Sequence, residues 1–371
     1  MKYSIPLASP DLTGNELNYV SQAIKSNQLS FGSFVDGFES EFAKLCGTRK
    51  AIVCANGTCA LHLALYALGL KAGDEVIVPS LTYVATANAV RYCGAEPVFV
   101  DVDEETWCLN SKEVENAITS RTKGIIPVHF LGHPADMDSI NRLAQIYNLW
   151  VVEDAAEAVF AKYKGRPVGS LGTMGMFSFH SAKVITSGEG GAITLNDDKL
   201  DLFIRMICSH GMDNQRRFFF PVIGFNYRIT NISAGLLCAQ LERHESFLNK
   251  RNEVFKIYSE GLKNIPGILF RPVASWAEIS PWLYSIVIDS KEFGHTREEL
   301  IQRLVEKGIE SRPFFIPVHS LPAFREKSIR YKDQLPITNR LGETGMNLPT
   351  YNAMSTDEVE RVIDVIKNLT K

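Results

Sequence analysis

The chain has no excess of basic residues. Its 39 Lys and Arg stand against 42 Asp and Glu, a formal charge of -3, which argues against a nucleic-acid binder with a basic face. Phosphate recognition, if present, must be local. No uninterrupted apolar run reaches the length of a membrane span, and MKYSIPLASPDLTGNELNYV lacks the apolar stretch of an export signal, so a cytoplasmic, non-membrane protein is expected. The seven cysteines (46, 54, 59, 93, 108, 208, 238) are scattered and lack Cys-x-x-Cys spacing. Reduced, mostly buried thiols are expected, with no metal site. No G-x-G-x-x-G follows the early strands, and GSLGTMG at 169–175 lacks both that spacing and the ending of a P-loop. Nicotinamide and ATP chemistry are therefore disfavoured.

What is present is the composition of a globular protein of 371 residues, 45% hydrophobic and 22% charged. From residue 50, short β-branched runs alternate with helical stretches, the pattern of an α/β fold with a mostly parallel sheet. Seven strands are predicted, at 50–55, 74–80, 96–103, 124–130, 149–155, 175–180 and 191–197. Helices are predicted over 57–70, 81–94 and 138–148, the first so apolar that it should be buried on most sides. After Asn231 a long amphipathic helical tract leads into a strand at 282–289, a helix at 296–308 and a terminal helix. This suggests a large domain, 1–245, and a smaller C-terminal α/β domain, 246–371.

In open α/β sheets the ligand lies beyond the carboxyl ends of the strands, and three segments there carry suitable residues. In CANGTCAL a strand gives way to a helix near Gly57, where free N–H groups and the Thr58 hydroxyl could take a phosphate; Asn56 or Thr58 could equally serve only as a helix cap. In LWVVEDAAEA a strand ends at Glu153 and Asp154, with Glu157 one turn later. These carboxylates are either a solvated loop or a partner for a positive ring nitrogen. In FSFHSAKVITSGEGGAI, Lys183 follows a strand and precedes Gly188, Gly190 and Gly191. It is either a surface lysine or a desolvated amine able to form a Schiff base. Anion site, carboxylate and lysine each follow a different strand of one sheet, and together they match the phosphate, ring nitrogen and aldehyde of pyridoxal 5'-phosphate. Tyr83, after VIVPSL, would add a stacking face or simply pack its helix.

At these residues the chain resembles the sugar-nucleotide aminotransferases of the DegT or StrS family, which have fold type I among pyridoxal-phosphate enzymes. NGTCALHLAL, GDEVIVPSLTYVATANAV, VVEDAAEA, FSFHSAKVITSGEGG and GFNYRITNISAGL carry the resemblance, which extends over nearly the whole chain. It implies that Lys183 binds the cofactor covalently and moves protons, that Asp154 pairs with the ring nitrogen, and that Tyr83 stacks on the ring. Gly57, Thr58 and Ser178 would hold the phosphate, Glu157 would lie near the ring hydroxyl, and Asn226 would reach the phosphate of the neighbouring subunit. A homodimer with shared active sites follows.

The resemblance further implies that L-glutamate donates an amino group to a keto sugar nucleotide. HGMDNQRRFFFPVIGFNYRITNI and IESRPFFIPVHSLPAF are similar to the subgroup acting on GDP-4-keto-6-deoxymannose at carbon 4; a UDP- or dTDP-linked sugar is the alternative. Where that subgroup commonly carries Phe-Phe-Gly-Asn-Lys, this chain has Phe179, His180, Ser181, Ala182 and Lys183. Arg312 and His319 are either substrate contacts or surface and interdomain residues; His180, Ser30, Gly32, His210 and Arg228 are further candidates near the substrate. Sugar dehydratases of the same kind replace the lysine with histidine, so the retained Lys183 favours transamination. A non-catalytic regulator is disfavoured by the lack of a basic or DNA-binding extension.

Overall fold

The computed structural model describes residues 3–213, 215–324 and 334–369. The first nine strands are β1 (Lys50–Cys54), β2 (Glu75–Pro79), β3 (Glu96–Val100), β4 (Thr122–Ile125), β5 (Trp150–Asp154), β6 (Lys162–Tyr163), β7 (Arg166–Pro167), β8 (Met174–Ser178) and β9 (Gly191–Leu195). Seven of them form one sheet in the order β1-β9-β8-β5-β4-β2-β3, and they are the seven expected from the sequence. Neighbours pair in parallel except at β9, which runs against both β8 and β1.

Both faces of the sheet are covered, which is why its strands read as continuous apolar runs. Successive side chains point to opposite faces. Thus Ile77 and Val151 join one apolar cluster, with Phe38 and Phe42 of helix α2 (Ser33–Leu45), while Val76, Val78 and Val152 join another. Helix α3 (Gly57–Ala67) supplies Ala60, Leu61, Leu63, Ala64 and Leu65 to the second cluster and is buried on most sides, as its apolar sequence predicts.

Several elements are shorter than expected, two of them with clear local causes. The helix predicted from 81 is α4 (Ala85–Tyr92). Residues 81–84 form a turn instead, which leaves Tyr83 outside the helix and 57% exposed. The strand predicted over 124–130 ends at Ile125. Pro127 has no N–H to give to a ladder, and at Leu131 the chain enters the left-handed region (φ 50°).

The expected helical tract after Asn231 is divided at Arg243 into the helices Asn231–Glu242 and His244–Leu262. The rest holds β10 (Ile268–Phe270), β11 (Ala277–Glu278), β12 (Tyr284–Ile288), β13 (Arg312–Pro313) and β14 (Gly345–Leu348). Four of these form an antiparallel sheet in the order β10-β12-β14-β13. A third apolar cluster lies here, built from Val254, Tyr258 and Leu262 of the helix His244–Leu262 with Ile286, Leu304, Leu348 and Val362, and it takes in Ile5. Trp282, Leu283 and Phe314 instead join the large-sheet cluster, so residues beyond 280 reach back to the strand ends. No helix among the described residues is long and apolar enough to cross a membrane.

Candidate active site

Three strand ends bring chemistry to one edge of the large sheet. After β1, the Asn56 side chain accepts the Cys59 N–H at 2.9 Å and caps α3. Capping takes one orphan donor of the first turn and leaves the N–H groups of Gly57 and Thr58 at its positive end. Space there is tight. A Cβ at residue 57 would lie 3.0 Å from the Ser178 Cβ, and one at residue 191 would lie 2.5 Å from the Asn56 backbone. Glycine at these two positions lets the turn after β1 and the β8–β9 hairpin close into one cradle.

At the end of β5, the buried Asp154 accepts the Thr86 hydroxyl at 2.7 Å and the Ala156 N–H at 3.2 Å. Burial raises its pKa, against the Thr86 and Ala156 hydrogen bonds and the positive charge of Lys183. Glu157, also buried, accepts the Leu131 N–H at 2.7 Å. Burial pushes its carboxyl up to about 7, again opposed by Lys183. The adjacent Glu153 is fully buried and turned away, accepting N–H groups of Gly169, Leu171 and Gly172.

Lys183 sits in the loop joining β8 to β9. Phe179 N–H donates to Gly190 O, Ser181 N–H to Gly188 O and Lys183 N–H to His180 O, so this loop is tied across its own width. Burial lowers the Lys183 pKa, while Glu157 and Asp154 favour its charged form. Its Nζ lies 3.7 Å from the centre of the Trp282 ring. Lys183, Asp154 and Glu157 are thus one electrostatic group.

The other expected residues are placed differently. Tyr83 leans on Phe315, centroids 5.5 Å apart. The exposed His180 accepts the Ala182 N–H at Nδ1 and lies 4.0 Å from the Glu189 carboxylate. Ser30 is exposed in the turn before α2, and Gly32 begins that helix beside the Asn231 side chain. Asn226 is exposed and bridges backbone with Ser209, whose hydroxyl takes a bond from Arg228. His210 N–H donates to Phe225 O. Arg312 is exposed and pairs with Glu310 at 2.9 Å. His319 is buried, its Nδ1 2.7 Å from Ser80 Oγ at the end of β2. Ser30, Asn226, Arg312 and His319 make no hydrogen bond or ion pair with Lys183 or Asp154 among the described residues.

Sequence reasoning missed several contributors. Thr86 had a faint signal, one helical turn beyond Thr82 in LTYVATA; Trp282 had none. Also passed over was the His-x-x-x-His spacing of His129 and His133, and the fold occupies both rings. His129 Nδ1 accepts the Ala135 N–H, which leaves Nε2–H to donate to Glu153 at 3.0 Å. His133 Nε2 accepts the Ala274 N–H and Nδ1 donates to Pro134 O at 2.7 Å.

Comparison with known proteins identifies the family. Residues 10–367 match the model of the DegT/DnrJ/EryC1/StrS aminotransferase family. A GDP-perosamine synthase of Caulobacter vibrioides is 46% identical over 97% of this chain and 96% of its own length. The GDP-perosamine synthase of Escherichia coli O157:H7 is 41% identical over 99% and 98%. Among solved structures, S. venezuelae DesV, in complex with a ketimine intermediate, is 33% identical with TM-score 0.90, covering 96% of this chain and 94% of that one. With residues 10–367 matching the family model and 97% of its length aligned to a relative of 46% identity, the chain belongs to the DegT/DnrJ/EryC1/StrS aminotransferase family.

Proposed function

We propose that this protein is a pyridoxal-phosphate-dependent aminotransferase that moves the amino group of L-glutamate to carbon 4 of GDP-4-keto-6-deoxymannose, giving GDP-perosamine. The observation that carries this reading is the grouping of Lys183 with two buried carboxylates at the sheet edge where the N-terminus of α3 presents the N–H groups of Gly57 and Thr58. The residues present fit the cofactor. A Cβ at residue 57 would press on the Ser178 Cβ at 3.0 Å, so glycine there lets the start of the helix and the Ser178 hydroxyl come together. A ring cation next to Asp154 would reverse the effect of burial and restore its charged form.

Bound pyridoxal phosphate supplies a carbonyl that links to amines and a ring that accepts electrons. Around it, Gly57, Thr58 and Ser178 would hold the phosphate, with Asn226 arriving from a neighbouring subunit. Tyr83 would cover the ring, Glu157 would lie near its hydroxyl, and Asp154 would keep the ring nitrogen protonated. Lys183 would tether the cofactor, and its freed amine would move the proton of the glutamate α-carbon to the cofactor's exocyclic carbon and, in the second half, from there to carbon 4 of the sugar. Ser30, His180, Arg312 and His319 serve the sugar nucleotide, His319 from its buried place against Ser80. Exposed apolar residues beside Asn226, Phe218, Phe220 and Ile223, support a homodimer with shared sites. A division near residue 245 makes the helix His244–Leu262 the connection between a large and a small domain.

The test is incubation of the purified protein with pyridoxal phosphate, L-glutamate and GDP-, UDP- and dTDP-linked 4-keto sugars, with mass spectrometry of the products. Selective conversion of the GDP sugar, with one 2-oxoglutarate per amino sugar, is expected. Conversion only of a UDP or dTDP sugar overturns the substrate assignment, and no conversion of any sugar overturns the activity.

A further inference from the structure

The mechanism leaves one arrangement beside Lys183 unused. Trp282, 6% exposed, lies at the entry to β12, about a hundred residues along the chain from the lysine. Its indole N–H donates to the carbonyl of Ala182 at 2.8 Å, and its ring face lies under the Lys183 amine. On the other side of the lysine, Asn352 Nδ2 donates to the carbonyl of Val184 at 3.2 Å. The carbonyls of the two residues on either side of Lys183 are thus held by side chains from the C-terminal third of the protein.

Behind both holders stands Arg251, 1% exposed, in the helix His244–Leu262. Its guanidinium donates to the carbonyls of Pro281, Trp282 and Thr350 and to Asn352 Oδ1. It pairs with no carboxylate among the described residues. A buried arginine satisfied only by neutral oxygens is costly to the fold, and here its contacts converge on the holders of the lysine loop.

We propose that Trp282 is a positioning residue for Lys183: its N–H fixes the peptide before the lysine, and its ring face is the seat the ammonium occupies whenever the amine is not bound to the cofactor. The proposal rests on the role given to Lys183 above and deepens it. An aromatic face attracts an ammonium and not a neutral amine. The seat therefore favours the state in which Lys183 carries the proton it has just taken, and holds it within reach until the return transfer. Other charges facing the amine are Asp154 at the end of β5 and Glu157 just after it; the exposed His180 and Glu189 lie on the lysine's own loop. Arg251 acts on the amine only through the Trp282 and Asn352 contacts.

The test titrates the amine itself, in the full-length protein freed of cofactor. Brief competitive acetylation across a pH series, with the Lys183 peptide quantified by mass spectrometry, gives the midpoint at which the amine becomes reactive. The seat favours the ammonium, so removing the ring must lower that midpoint. Trp282→Leu is expected to shift it down by roughly half to one and a half pH units, and Trp282→Phe, which keeps a weaker ring face, by less. If Trp282→Leu does not fold, Trp282→Phe decides alone: a midpoint below that of the unmodified protein supports the seat. Midpoints equal to that of the unmodified protein overturn it. Because no cofactor takes part in this measurement, its failure leaves the pyridoxal-phosphate reading standing. That reading fails separately, if Lys183→Ala still shows the absorbance of covalently held cofactor.

Discussion

The Thr86 hydroxyl donates to Asp154 Oδ2 at 2.7 Å, and the Thr82 hydroxyl stands 3.0 Å behind it. Since Thr86 gives its proton to the carboxylate, Thr82 must give its own to Thr86. The pair forms a short relay of donors that supports the charged form of a buried acid.

Thr86→Val keeps the shape and removes the donor. Asp154, already raised by burial, should rise further. Unfolding in denaturant should show a loss of about 1–3 kcal/mol. The acid limb of the pH–rate profile should move to higher pH, and an unmoved limb would remove Thr86 from any role in tuning Asp154.

Glu157 offers a pH test of stability. Its folded-state pKa, about 7, lies above the ordinary 4.5, so its contribution is fully present below about 4.5 and is lost as pH rises through 7. Glu157→Gln stays neutral and can still accept the Leu131 N–H through its amide oxygen. In cofactor-free protein the variant should gain on the parent between these pH values by up to about 3 kcal/mol, read from denaturant midpoints. A constant difference between the two proteins across this range would contradict the assignment.

Gly57→Ala places a methyl 3.0 Å from the Ser178 Cβ. Overpacking of this kind costs about 1–3 kcal/mol of stability unless the turn shifts away from Ser178, and a shifted turn moves the N–H groups of residues 57 and 58, so pyridoxal phosphate should bind more weakly. Titration of cofactor absorbance measures this directly. Undiminished affinity would mean that the phosphate lies elsewhere.

Lys183→Ala should abolish turnover and the absorbance of covalently held cofactor while the far-ultraviolet dichroism stays unchanged. Asp154→Asn should retain the covalent absorbance but lose most of its rate, since an amide cannot hold the ring proton. A near-normal rate in either variant contradicts the role given to that residue.

What could be read from the sequence follows from the range of each interaction. The seven strands were readable because a sheet covered on both faces needs continuous apolar runs, and the polar residues that stop those runs, Asn56, Asp154 and Ser178, mark its chemical edge. Tyr83 was assigned to a helix because LTYVATANAV has helical periodicity; the turn at 81–84 depends on contacts from Ser80 to the distant His319 and Val318. The left-handed Leu131 has no local signal, and is held by Glu157 on its N–H and by Arg271 on its carbonyl. Trp282, Arg251 and Asn352 lie far along the chain from the lysine they surround, at separations where no local pattern operates.

The antiparallel β9 has a mechanical consequence. Because β8 and β9 form a hairpin, Ser178 and Gly191 are directly paired and Lys183 is suspended between them, while Gly191 also abuts the turn at Asn56 and Gly57. The Ser178 side of the proposed phosphate cradle and the loop that bears Lys183 therefore belong to a single lever. A tilt of the hairpin carries both together, and the span between them is set by the length of one loop, not by the relative motion of separate parts.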